Sequence, residues 1–110
     1  MTQNEKMKTL IEYLESYKLY RAMKELRDKD DAEPLSEAEG ARRKMREIRS
    51  FVTSMPDSRE KLFLYYHYIG GRSMERCAEM LGVAERSIYR IRLRALKLAL
   101  CCFPGERAAV

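Results

Sequence analysis

Ser73-Met74-Glu75-Arg76-Cys77-Ala78-Glu79-Met80-Leu81-Gly82-Val83-Ala84-Glu85-Arg86-Ser87-Ile88 is the stretch whose spacing decides the fold of this chain. Ser73 is a good N-cap, because its hydroxyl can accept a backbone N–H that the first helical turn leaves without a partner. A short helix is therefore expected from Met74 to Leu81. Gly82 ends it as the residue that takes a left-handed backbone at no steric cost. Val83 follows as a small apolar plug, and a longer helix is expected from Ala84 to Leu100, with Ile88, Ile91, Ala95 and Leu98 on one face. Ala78 has to be small where the two helices cross, Gly82 lies four residues on, and Ile88 lies six beyond that, placed to pack against Cys77 and Leu81. Few small motifs need all three together, and the spacing is that of a helix-turn-helix.

Upstream, Met55-Pro56 closes one element and Asp57-Ser58-Arg59-Glu60 opens another, with Asp57 as the expected N-cap. That helix should turn Leu62, Phe63, Tyr66 and Ile69 inward and stop at Gly70-Gly71. With no strand before it and no Gly-Lys-Ser or Gly-Lys-Thr after it, the glycine pair reads as a C-cap rather than a phosphate cradle. Ser36-Glu37-Ala38-Glu39 is a capping box that starts a further helix. Its buried stripe is expected to be Ala38, Ala41, Met45, Ile48 and Val52, with Arg42, Arg43, Lys44, Arg46 and Arg49 outward in solvent. The acidic run from Asp28 to Pro34 reads as a disordered surface connection. Before it, a first helix from Asn4 to Arg27 carries Met7, Leu10, Ile11, Leu14 and Tyr17 at helical spacing. Its later apolar positions, Leu19, Ala22, Met23 and Leu26, lie about a third of a turn away, so the two ends should meet different neighbours.

The 110 residues suffice for one core, and 45% hydrophobic with 35% charged residues suits an all-α protein. The expected organisation is a two-helix N-terminal arm at 1–55, serving support and dimerisation, a three-helix module at 56–103, and a flexible tail at 104–110. The net charge of +5 is concentrated in the second half. From Arg86 to Lys97 five basic residues (Arg86, Arg90, Arg92, Arg94, Lys97) occur with no acidic one, which makes a polyanion the natural partner. The N-terminus lacks the basic-then-apolar pattern of a signal peptide, and no apolar run is long enough to span a membrane, so the expectation is a cytoplasmic protein with no membrane partner. Cys77, Cys101 and Cys102 have neither Cys-x-x-Cys spacing nor paired histidines and are read as reduced, small apolar side chains. His67, the only histidine, has no nucleophile or carboxylate at a suggestive spacing, so it is read as a partly buried helix residue. Tyr65, Tyr66 and Tyr68 are assigned to core and boundary packing rather than to stacking on bases. No enzyme activity, metal, cofactor or small-molecule substrate is expected.

Arg59-Glu60, Tyr68-Ile69-Gly70-Gly71-Arg72-Ser73, Cys77-Ala78, Leu81-Gly82-Val83, Ile88 and Ala95-Leu96 together make the chain resemble region 4 of bacterial sigma factors and the small phage or mobile-element regulators that carry the same module. The resemblance covers about 40 residues, a little under half the chain. Arg76 stands where the family usually has an acidic residue, Cys77 where it has isoleucine or valine, and Ala84 where it has a Ser or Thr cap. Nothing in residues 1–55 looks like a promoter-melting region. The resemblance therefore implies a sequence-specific, duplex-DNA-binding transcriptional regulator, nucleoid-associated, rather than a complete promoter-opening factor. The alternative it leaves open is a protein-binding adaptor that contacts RNA polymerase or another regulator.

The family's base-reading positions fall on Glu85, Arg86, Tyr89 and Arg90. With Ile88, Ile91 and Ala95 inward, Arg86, Tyr89 and Arg90 point away from the core at the end of the helix that enters the groove. Arginine can pair two donors with O6 and N7 of guanine, which makes Arg86 and Arg90 the leading candidates for direct readout. Ser87, Arg94 and Lys97 are assigned to phosphates, as are Arg72 and Ser73, because helix N-termini hold anions. Leu93, Leu96 and Leu100 give the last helix a second apolar side that needs cover. Two covers are open: the first helix, through Leu19, Met23 and Leu26, or a second copy of the chain in a two-fold dimer.

Overall fold

The computed structural model describes residues 2–29 and 35–103, and every regular element in them is a helix. α1 (Gln3–Lys29) and α2 (Leu35–Thr53) precede α3 (Arg59–Leu64), which runs without a break into a π-helical turn (Tyr65–Ile69). α4 (Met74–Leu81) and α5 (Glu85–Cys102) complete the chain. The protein is all-α, and among the described residues no helix is long and apolar enough to cross a membrane. Most of the acidic connection, residues 30–34, and the expected tail, 104–110, lie outside the described residues, as do the side chains of Ser36 and Ala38. Asp28 and Lys29 belong to α1 rather than to the connection, and α2 begins one residue ahead of Ser36.

A single hydrophobic cluster joins all the helices. Leu10, Leu14 and Tyr17 of α1, with Met45, Ile48 and Val52 of α2, meet Phe63, Leu64, Tyr68, Ile69, Cys77 and Ala78 and the inner face of α5. Ala41 is buried as well, so the expected α2 stripe is present wherever its side chains are described. α1 and α2 are also tied by polar contacts. The Tyr13 hydroxyl donates to Glu47 at 2.9 Å, and Arg49 donates to the Tyr17 hydroxyl at 3.1 Å. Burial, followed by the Glu47 contact, pushes the Tyr13 phenol well above its ordinary value.

Two expectations fail around α3. Its N-cap is Ser58, whose hydroxyl accepts the Lys61 amide at 3.1 Å. Asp57, one residue too early to cap, instead pairs with Lys61 one turn on at 2.8 Å, which holds its carboxyl below the usual range. The inward stripe also differs from Leu62, Phe63, Tyr66 and Ile69. Leu62 is 43% exposed and Tyr66 only half-buried, while Phe63, Leu64, Tyr68 and Ile69 form the core. The cause is the π turn, in which the Gly70 amide bonds the Tyr65 carbonyl five residues back at 2.8 Å. In an α-helix, positions five apart point about 140° away from each other. With i→i+5 bonding they stack, so Phe63 and Leu64 share a face with Tyr68 and Ile69.

α5 departs from expectation at one core position. Ile88, Ile91 and Ala95 are buried, but Leu98 is 47% exposed, and the core face continues through Leu96 and Ala99 instead. Leu96 and Ala99 are buried because α1 packs on α5 and widens the covered arc. Leu100 is half-buried against the same core, and Leu93 is 52% exposed. The first helix thus covers α5, but not through Leu19, Met23 and Leu26, which are 60%, 38% and 63% exposed. The covering residues are those around Leu10, Tyr13, Leu14 and Tyr17, with the Tyr13, Phe51 and Phe103 rings packed together at centroid separations of 5.2–5.9 Å. Cys77 is buried as read, and burial pushes its thiol up, whereas Cys101 and Cys102 are exposed at the end of α5 rather than apolar filling.

Two glycines are needed for different reasons. Gly82 has φ 67° with open space around its missing side chain, so Gly82→Ala meets only left-handed strain, about 1–2 kcal/mol. Gly70 has an ordinary helical φ, but a Cβ there would sit 2.8 Å from the Tyr66 carbonyl oxygen, the acceptor of the Arg72 amide. Gly70→Ala is expected to be the more destabilising, by about 1–3 kcal/mol, because backbone has to move. Urea midpoints of the two variants at unchanged slope check the order.

Candidate nucleic-acid interface

The link between α4 and α5 is tightly specified. The Ser73 hydroxyl accepts the Arg76 amide at 3.1 Å, opening α4, and Gly82 closes it in the left-handed conformation, its amide bonding the Ala78 and Glu79 carbonyls. The Val83 amide returns to the Ala78 carbonyl at 3.0 Å, so the chain reverses within two residues and feeds α5 directly. Ala84, at the cap position of α5, offers no side-chain hydrogen bond. The first amides of α5 therefore keep donors free for an outside acceptor.

α5 presents a basic stripe opposite its core face. At 100° per residue, Arg86, Arg90, Arg94 and Lys97 fall within an arc of about 80°, and they span about 16 Å along the axis. All four are exposed, and Tyr89 beside them is 59% exposed. Arg92, the fifth basic residue of the run, is turned toward the buried Tyr68 hydroxyl and is only half-exposed. It acts on the charge of that phenol, whose pKa burial raises, but no hydrogen bond of normal geometry joins them. Arg94 Nε lies 3.9 Å from the Glu60 carboxylate, a loose pair that leaves the guanidinium 59% exposed. Ser87 is half-buried at the edge of the stripe.

Glu85 is exposed at the start of α5, where the Glu75 carboxyl of α4 meets it. A hydrogen bond between the two carboxyls, and then their mutual repulsion, hold the Glu85 carboxyl above its ordinary value. The pair places two acidic groups beside the N-terminal end of the basic stripe. Glu79, the next acid along α4, is neutralised by Arg76 at 2.8 Å.

Arg72 and Ser73 lie on a separate surface that the sequence alone does not assemble. They line an open cleft of about 450 Å³ together with Glu15, Lys18 and Arg21 of α1 and His67 of the π turn. Arg21 donates to the Ile69 carbonyl, and its guanidinium sits 5.2 Å from the centre of the Tyr17 ring. His67 stacks on Phe63 at 5.3 Å, and its Nδ1 faces the Arg72 carbonyl at 2.7 Å, so Nδ1 carries the proton and donates.

No protein family, curated protein or solved structure matches this chain.

The sequence-predicted residues thus fall into two groups. Glu85, Arg86, Tyr89, Arg90, Arg94 and Lys97 share the exposed side of α5, with Ser87 at its edge. Arg72 and Ser73 are grouped with Lys18, Arg21 and His67. Those three were not legible as site residues, since Lys18 and Arg21 stand roughly fifty residues from Arg72 in an unremarkable charged helix. The phase of α1, set by Leu14 and Tyr17 in the core, is the only sequence signal that aims them at that side.

Proposed function

We propose that this chain binds duplex DNA sequence-specifically, with α4 and α5 as a helix-turn-helix and α5 as the recognition helix, and that it acts as a bacterial or phage transcriptional regulator of the sigma-region-4-like type. The observation that carries the reading is the outward stripe of Arg86, Arg90, Arg94 and Lys97 on a helix that follows α4 through a left-handed Gly82. A helix of this width fits the major groove, and cations on its outer face meet base edges near its N-terminus and phosphates further along. In this reading residues 56–103 form the DNA-binding module, and α1 and α2 form a supporting arm fused to it through the common core.

Selection of binding sites from random duplex DNA tests the proposal directly. On the selected site, Arg86→Ala and Arg90→Ala are each expected to weaken binding by about 1–3 kcal/mol and to relax specificity. Lys97→Ala should weaken all duplexes alike. Equal losses on selected and random DNA for all three variants would remove Arg86 and Arg90 from base readout.

A second reading, a protein adaptor that docks on RNA polymerase or another regulator, is favoured by one observation. Leu93 sits 52% exposed beside the basic stripe, and apolar side chains there suit a protein partner better than phosphate. Leu19, Met23 and Leu26 form a further exposed apolar row on α1, suited to a second copy of the chain. Failure to enrich any duplex from the random pool favours the adaptor. Sedimentation of the intact protein at rising concentration tests the dimer.

A further inference from the structure

The cleft between α1 and the start of α4 is not explained by a helix-turn-helix alone. Three cations converge on it from one helix and one loop, Lys18 and Arg21 from α1 and Arg72 from just ahead of α4, against one carboxylate, Glu15. Arg21 is fixed rather than waving. It is anchored on the Ile69 carbonyl and lies against Gly71, where an added Cβ would sit 3.4 Å from its terminal nitrogen. Lys18 is exposed, with no acidic partner among the described residues. The Ser73 hydroxyl is occupied by the Arg76 amide, which leaves the Met74 and Glu75 amides of α4 without an intrahelical acceptor. The wall also carries Tyr68, 6% exposed, whose hydroxyl is buried and faces Arg92 rather than the open cleft.

A fixed guanidinium, the exposed Lys18 and Arg72 side chains and the free amides at the start of α4 form a donor set that suits a tetrahedral oxyanion. We propose that this cleft holds a backbone phosphate of duplex DNA, so that α1, through Lys18 and Arg21, is a second DNA-contacting element rather than only a support. The assignment rests on the duplex-binding reading given above. It differs from that reading in the residues it uses, since Lys18 and Arg21 lie outside the helix-turn-helix. A contact of this kind fixes the orientation of the protein on the duplex and carries no base information, so its loss affects all sequences alike.

The test compares the salt dependence of duplex binding for the intact chain, Lys18→Ala, Lys18→Arg and Lys8→Ala. Lys8 is an exposed lysine on the same helix, about 15 Å further toward its start, and it serves as the control for a general loss of charge. The expected result is that Lys18→Ala lowers the slope of log affinity against log salt by about 0.9, equally on selected and random duplex, that Lys18→Arg restores it, and that Lys8→Ala leaves it unchanged. An unchanged slope in Lys18→Ala, or an equal loss in Lys8→Ala, overturns the assignment while leaving the α5 reading intact. If the intact chain binds no duplex even at low salt, both fall together. Titration with inorganic phosphate, read at the Met74 and Glu75 amide signals, separates the sources of the anion. Saturation by inorganic phosphate combined with an unchanged duplex slope would make the cleft a free-anion site and overturn the assignment to DNA.

Discussion

Phe63→Ala is expected to lower the stability of the protein by about 3–5 kcal/mol, a large part of the 5–15 kcal/mol that holds a domain of this size together. Phe63 is fully buried, stacks on His67 and meets Tyr68 edge to face, so its removal leaves a cavity at the point where α3 meets α5 and runs into the π turn. The neighbouring Leu62, 43% exposed, has roughly half its side chain to lose from burial, and Leu62→Ala should cost about 1 kcal/mol or less. The contrast reports on the register of the segment as well as on packing. A plain α-helix with Leu62, Phe63, Tyr66 and Ile69 inward would make the two variants similarly harmful. Denaturant unfolding of both variants, with the slope held constant, distinguishes the cases.

Affinity for duplex DNA is expected to fall roughly fortyfold between 50 and 200 mM salt. Three phosphate contacts are assigned, one each to Arg94 and Lys97 and one in the cleft that Lys18 and Arg72 share, and each neutralised phosphate contributes about 0.9 to the log–log slope, giving a total near −2.7. Arg94 is already near Glu60, at 3.9 Å, so it exchanges one loose partner for another and its share should be the smallest of the three. Fluorescence anisotropy on the selected duplex across the salt range measures the slope. A value near zero would mean that the basic face of α5 does not meet DNA phosphates at all.

The helices with an undistorted 3.6-residue period were legible from the chain alone. In α4, Ser73 and Gly82 fix both ends by local chemistry, and the element runs from Met74 to Leu81 as its caps dictate. In α1 the Leu10, Leu14 and Tyr17 stripe is inward for the same reason. Reading failed where the period itself changes. Nothing in Tyr65-Tyr66-His67-Tyr68-Ile69 announces i→i+5 bonding, so an α-helical period points Leu62 and Tyr66 inward and leaves Leu64 off the stripe. It failed also where cover comes from afar, since Leu96 and Leu98 exchange roles once α1 packs on α5. On the candidate site, the side of α5 that bears Arg86 and Arg90 follows from Ile88 and Ile91 being inward. The Lys18–Arg72 cleft does not follow from any local rule, because it exists only when α1 is laid across the end of the π turn.

The π turn has a consequence for how the length of this chain can vary. Deleting one residue between Tyr65 and Ile69 would let the segment relax to ordinary α-helical bonding, locally the more favourable ladder. The same deletion would leave Phe63 and Tyr68 four positions apart, about 40° around an α-helical axis, so the chain before the turn would keep its phase relative to the chain after it. Phe63 with Leu64 and Tyr68 with Ile69 would then still share one face and stay in the core, and the residues lost or displaced would be those of the exposed side of the turn. The extra residue is thus an insertion that the turn absorbs without putting its two ends out of phase, and related chains one residue shorter within these five positions are expected to keep the same core.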